Sequence, residues 1–228
     1  MEHTALAVQL PFLGLTNICL RRPARVENAA GELLRLAEAS SLAFFHILAQ
    51  IARGWALAQQ GATSGLAEME AGLREKQQTG AERLTNFQRS LAADAYSRAG
   101  RHDEALASIS RAFELLESGD EVAFAAELHR TRAAVWLRAE AGKRAAAEAD
   151  LKRAFEIAHE QKALSFQLRG ARDLAQIWAE RGGRQQAVDL RAPIYAAFTE
   201  RFDTLDLQES FDTLDLQESK ALLDELKN

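Results

Sequence analysis

The chain has 228 residues, 47% of them hydrophobic and 27% charged, with 3 prolines and a formal net charge of −5. That is enough to bury a substantial core in one elongated domain or two small ones; the abundance of Ala, Leu, Glu, Arg and Gln favours helices, and the scarcity of β-branched residues argues against long strands. A single cysteine, Cys19, excludes an internal disulfide framework and a multi-cysteine metal site, fits a reducing cytosol, and reads as a small apolar core residue.

Taken in chain order, the first predicted element runs from Thr4 to Leu20, with Pro11 expected to kink it. It is apolar, but Glu2 stands where a secretory leader carries basic residues. Gln9, Pro11, Thr16 and Asn17 interrupt the run, so neither a leader nor a membrane span is expected. Pro23 suits the first turn of a second helix, Pro23 to Glu38. Then come Ser41 to Gln60, Thr63 to Gln78, Ala81 to Ala99, Asp103 to Glu117, Glu121 to Ala141, Arg144 to Gln161, Leu164 to Arg181 and Arg184 to Thr199, and a last helix ending near Leu226.

These helices carry an internal repeat. Gly100, Gly142 and Gly182 are each followed five residues later by alanine, at Ala105, Ala147 and Ala187. Four and seven residues beyond stand Ile109 and Ala112, Leu151 and Ala154, then Arg191 and Ile194; the third copy has lost the middle apolar residue. An earlier copy begins at Gly61 with a turn one residue shorter and places Gly65, Met69 and Gly72 there. The anchors Gly65, Ala105, Ala147 and Ala187 are 40, 42 and 40 residues apart. Glycine supplies the left-handed turn that ends one helix. The small residue opening the next lets two backbones approach, and the residues four and seven further on share its inward face. Each pair has an apolar face that it cannot bury alone, so neighbours must stack.

The stretch AYSRAGRHDEALASISRAFELL resembles the tetratricopeptide repeat (TPR), with Tyr96, Gly100, Ala105 and Ala112 at its aromatic, turn-glycine and packing-alanine positions. The period is longer than the usual 34, so longer-helix arrays such as HEAT stay open. A resemblance covering most of the chain is carried by IARGWALAQQG, LAADAYSRAGRHDEAL, FAAELHRTRA and APIYAAFTERFDTLDLQESKALLDEL, the last with one copy of its duplication. These look like the C-terminal TPR region of large bacterial predicted ATPases, often fused to adenylyl cyclase or DNA-binding modules. The resemblance implies a cytoplasmic sensing or docking arm. The sequence has no GxxxxGK[ST] and no dinucleotide loop.

The expected fold is therefore all-α: a right-handed TPR-like αα-solenoid of about five helix pairs over 1–200, then an acidic tail and capping helix over 201–228. From Arg201 to Asn228 there are 3 basic and 8 acidic residues; the rest of the chain has 25 of each. A neutral body argues against nonspecific nucleic-acid binding. The tail repeats FDTLDLQES, at 202–210 and 211–219. Nine residues turn a helix by about half a turn net, so one continuous helix would put the two copies on opposite sides. Several outcomes are open: the first copy forms a loop; the helix breaks at Asp212–Thr213; the extra apolar set, Phe202, Leu205, Leu207, Phe211, Leu214 and Leu216, packs on a second chain; or the duplication, natural or engineered, has no function.

No chemistry stands out. His3, His46, His102, His129 and His159 are scattered without metal-ligand spacing, there is no GxSxG, and no carboxylate pair is placed for acid–base work. No catalytic residue, metal or cofactor is expected. The TPR alignment instead places Trp55, Asp94, Trp136 and Gln176, and Ile51, Ser90, Arg132 and Arg172, toward the concave face, with His129 and Arg169 one helical step before the last two. Trp and Arg are typical of binding hot spots, and Arg forks suit carboxylates; packing tryptophans and solvated arginines are the plainer alternative. An acidic peptide, another molecule's FDTLDLQES included, would lie along Arg98, Arg132, Arg169 and Arg172. The expectation is a non-catalytic protein- or peptide-binding scaffold, self-associating through its tail. The alternative is a small-molecule-sensing arm of a bacterial regulator.

Overall fold

The computed structural model describes residues 2–80, 83–119, 122–139, 141–199 and 214–227. Among them the chain is all-helical, with no strand, and no helix is long and apolar enough to cross a membrane. Contacts divide it into two units, Met1–Ser118 and Gly119–Asn228.

The first unit holds α1 (Glu2–Cys19), α2 (Pro23–Ala39), α3 (Ala43–Gln59), α4 (Ser64–Thr79), α5 (Thr85–Arg98) and α6 (His102–Ser118). Each helix packs on the next, and α3 also touches α1 and α5. Helix α1 runs unbroken through Pro11. Leu10, Ala29, Leu33, Leu34 and Ala49 form the core shared by α1, α2 and α3, with Leu36, Leu42 and Phe45 around it. The α3–α4 pair meets backbone to backbone: a Cβ at Gly65 would stand 2.4 Å from the Ala58 nitrogen and 2.5 Å from the Gly54 oxygen. Only glycine permits that backbone-to-backbone approach.

The second unit holds α7 (Ala125–Ala139), a 3₁₀ turn (Ala141–Lys143), α8 (Arg144–Glu160), α9 (Leu164–Glu180), α10 (Arg184–Thr199) and α11 (Leu214–Lys227). Consecutive helices again pack together, α7 touches α9, and α11 lies on both α9 and α10. Ala133, Ala147, Leu151, Leu174 and Ile177 form one core, bordered by Trp136, Trp178 and Leu190. The repeat anchors Ala105, Ala147 and Ala187 have no exposed surface, and Gly65 is buried with them.

Six of the turns use one device. A left-handed residue follows the helix, at Arg21, Ser41, Gly61, Gly100, Lys162 and Gly182. The next N–H donates to the carbonyl five residues back: Arg22 to Asn17, Leu42 to Ala37, Ala62 to Leu57, Arg101 to Tyr96, Ala163 to Ala158 and Gly183 to Trp178, each at 2.9 Å. This is the Schellman closure, which satisfies carbonyls that the helix end leaves unpaired. Gly142 departs from the expectation: it sits in the 3₁₀ turn with no positive φ. The α7–α8 connection has one residue more than its α5–α6 counterpart, and the tighter 3₁₀ turn takes up the extra length.

Candidate partner-binding face on α7 to α11

Helix α7 reads AAELHRTRAAVWLRA and places His129, Arg132 and Trp136 at i, i+3 and i+7, on one face. Asp150 of α8 lies opposite. Its carboxylate accepts two hydrogen bonds from Arg132, Nε at 2.6 Å and Nη2 at 2.6 Å, and its Oδ1 is 2.8 Å from His129 Nδ1. Burial opposes ionisation of Asp150, but the bonds from Arg132 and His129 outweigh it and hold the carboxyl below its ordinary range. The Arg132 guanidinium also stands 5.1 Å from the Trp136 ring centroid, and Lys143 is 5.8 Å from the same ring.

A second network joins α7 and α9. Arg130 grips Glu127 through Nε at 3.0 Å and Nη2 at 3.1 Å, and reaches Asp173 through Nη1 at 3.2 Å. Arg169 Nη1 donates to Glu127 at 3.4 Å. Arg172 donates to Asp173 from Nε at 2.8 Å and Nη2 at 2.6 Å. Burial again works against the Asp173 charge, and Arg172 and Arg130 again prevail, holding its carboxyl low.

Helix α11 closes onto this network. Arg172 Nη1 pairs with Glu218, and Arg191 Nη2 donates to the Ser219 carbonyl at 2.5 Å. Leu222 packs with Ala175 and Ala187, and Leu223 is buried. Arg191 is fully buried, and its Nε and Nη1 have no hydrogen-bond partner. Burial, reinforced by the neighbouring Arg172 charge and opposed by Asp173, lowers its pKa to about 10. Among the described residues no carboxylate pairs with Arg191.

The structure thus gathers His129 and Arg132 around Asp150, with Trp136 beside Arg132, and sets Arg169 on Glu127 and Arg172 on Asp173. Gln176 lies exposed on α9. In the first unit Trp55 is a buried core residue, as are Ile51 and Ser90. Asp94 is half-buried and accepts from Arg98 Nε at 2.7 Å and Gln59 Nε2 at 3.4 Å, while Arg98 itself is exposed. Leu214 and Leu216 belong to α11, but their side chains lie outside the described residues, as do Phe202, Leu205, Leu207 and Phe211 entirely.

Sequence reasoning missed Glu127, Arg130, Asp150, Asp173, Arg191 and Glu218. One signal was available for Arg191: it stands where the other copies carry Met69, Ile109 and Leu151. A charge at an inward position asks for a partner, and the next helix supplies a carbonyl. Among the described residues no group of three or more His, Cys, Asp or Glu could hold a metal ion. No protein-family model matches the chain, and no curated protein matches its sequence.

Proposed function

We propose that this chain is a TPR-like αα-solenoid that holds a protein or peptide partner and does no chemistry itself. Its acceptor face is formed by α9 and α10, where it takes an acidic helical segment. The observation that carries this reading is the hold on α11: Arg172 on Glu218, Arg191 on the Ser219 carbonyl, and Leu222 against Ala175 and Ala187. An acidic amphipathic helix laid on a repeat face, with arginine forks reading carboxylates and small residues receiving leucines, is a recurring way to recognise a helical peptide. The repeated hairpins and buried small anchors support the solenoid part of the proposal. In this reading the arm is cytoplasmic and bacterial, as the resemblance to regulator arms implies. The face is occupied in cis by the chain's own last helix, which an incoming segment must displace.

The test is calorimetric titration of a synthetic peptide of residues 211–228 into the full chain at two salt concentrations. Binding that weakens as salt rises, and drops about tenfold or more in Arg172→Ala, supports the proposal. Binding that is indifferent to both salt and Arg172 removes it.

A further inference from the structure

The nonapeptide 211–219 that supplies Glu218 and Ser219 is repeated without change at 202–210. A nine-residue shift puts Glu209 in place of Glu218 and Ser210 in place of Ser219. It puts Leu214 in place of the buried Leu223 and Thr213 in place of Leu222. Of the four α11 residues described above, Glu218, Ser219, Leu222 and Leu223, the shifted register replaces only Leu222 by a different residue type, and Leu222 is the one that packs on Ala175 and Ala187.

The direction of α11 makes the shift geometrically possible. Ser219 lies against Arg191, and Leu222, three residues later, lies in a cluster with Ala187 and Val188, earlier on α10. The two helices therefore run antiparallel. Arg191 is about 12 Å along the axis before Thr199, and Ser219 is about 7.5 Å after Leu214, at about 1.5 Å per residue. With axes about 10 Å apart, roughly 11 Å separates the end of α10 from the first seated residue. In the shifted register five residues, 200–204, cross that gap. An extended chain of that length reaches about 16–18 Å, and helix pairs commonly use connections this short.

We infer that the α9–α10 face is a seat for either copy of FDTLDLQES, and that the first copy, Phe202–Ser210, exchanges with the second in the same chain. The second copy holds the seat by the packing of Leu222. When the first copy takes it, residues 205–218 occupy the places of 214–227, and the residues beyond 218 leave α9 and α10. Arg191 fits a seat of this kind: its hold is on a backbone carbonyl, which any residue of the incoming helix supplies, and two of its nitrogens make no bond that commits it to one register. The inference rests on reading α9–α10 as an acceptor face, but it requires no foreign partner.

The experiment compares Glu209→Arg, Glu218→Arg and the double variant in the full chain, by amide hydrogen exchange and urea unfolding. Either arginine would face Arg172. In Glu218→Arg, protection is expected to leave 219–227, to stay in 214–218 and to rise in 205–213, with the folding equilibrium shifted only a few-fold. Glu209→Arg alone is expected to change neither. The double variant loses protection throughout 205–227, with a shift at least tenfold beyond the product of the singles. Loss at 219–227 without gain at 205–213 overturns the exchange, and so does unchanged protection at 219–227. Should the double variant not fold, Glu218→Arg is placed in a chain lacking 202–210. It must cost more there than in the full chain, and equal costs sink the inference. Peptide capture at Arg172 that persists without exchange would leave the scaffold reading standing.

Discussion

Arg21, Ser41 and Lys162 adopt the left-handed conformation that glycine adopts at Gly61, Gly100 and Gly182. For a residue with a Cβ this costs about 1–2 kcal/mol, and the turn persists because the closing hydrogen bond and the packed helices on either side leave no other path. Lys162 is exposed, so a substitution there reports the backbone alone. Lys162→Gly is expected to raise the unfolding free energy by about 0.5–1 kcal/mol, the relief of strain less the added freedom of glycine in the unfolded chain. Urea denaturation measures it. The same three positions show why turns were only half legible: glycine announces a left-handed residue, whereas a lysine forced into that conformation by its neighbours does not. Asp150 gives a second residue-scale prediction. Its carboxyl is held below the ordinary range, so the folded state favours the ionised form. That contribution is complete above the unfolded-chain value of about 3.9 and is lost as pH falls through the lower folded value. The Asp150 contribution, the difference in unfolding free energy between the chain and Asp150→Asn followed by tryptophan fluorescence, should hold between pH 7 and 5 and fall below about pH 4. Asp150→Asn should lower stability at pH 7 and flatten the acid limb.

At the scale of elements, helix periodicity and the glycine–alanine spacing place the helices up to Thr199 to within a few residues, and only the end of the last one, because burial on one face writes a period of about 3.6 into the sequence. The partner facing each position is another matter. Arg132 finds Asp150 18 residues away, and Arg172 finds Glu218 46 residues away. Such pairs depend on how each helix is rotated against its neighbour, which periodicity leaves undetermined. Glycines inside helices separate by the same logic. Gly65 of α4 faces the α3 backbone, so Gly65→Ala should cost about 2 kcal/mol through overpacking, despite the gain in helix propensity. Gly31 of α2 has open space where a Cβ would stand, so Gly31→Ala should stabilise by about 0.5–1 kcal/mol. Thermal unfolding of the two variants should shift in opposite directions, a contrast that composition alone would not suggest.

For the whole molecule, the sequence disclosed a repeat-bearing helical chain with an acidic, duplicated tail, and the charge imbalance of that tail pointed toward arginines. The location of the meeting was not legible. The sequence offers Arg98, Arg132, Arg169 and Arg172 as the path of an acidic peptide, but Arg132 and Arg169 are engaged by the chain's own Asp150 and Glu127, and Arg191 sits among the packing positions. Arg172 joins the body to the tail, and it does so within one chain. The proposed acceptor face is already filled, by α11. The most direct measurement compares the affinity of the 211–228 peptide for the full chain and for a chain ending at Thr199. A filled face weakens apparent affinity by the fraction of time it is open, so the shortened chain should bind at least about tenfold more tightly. Equal affinities would place the peptide elsewhere and contradict the account.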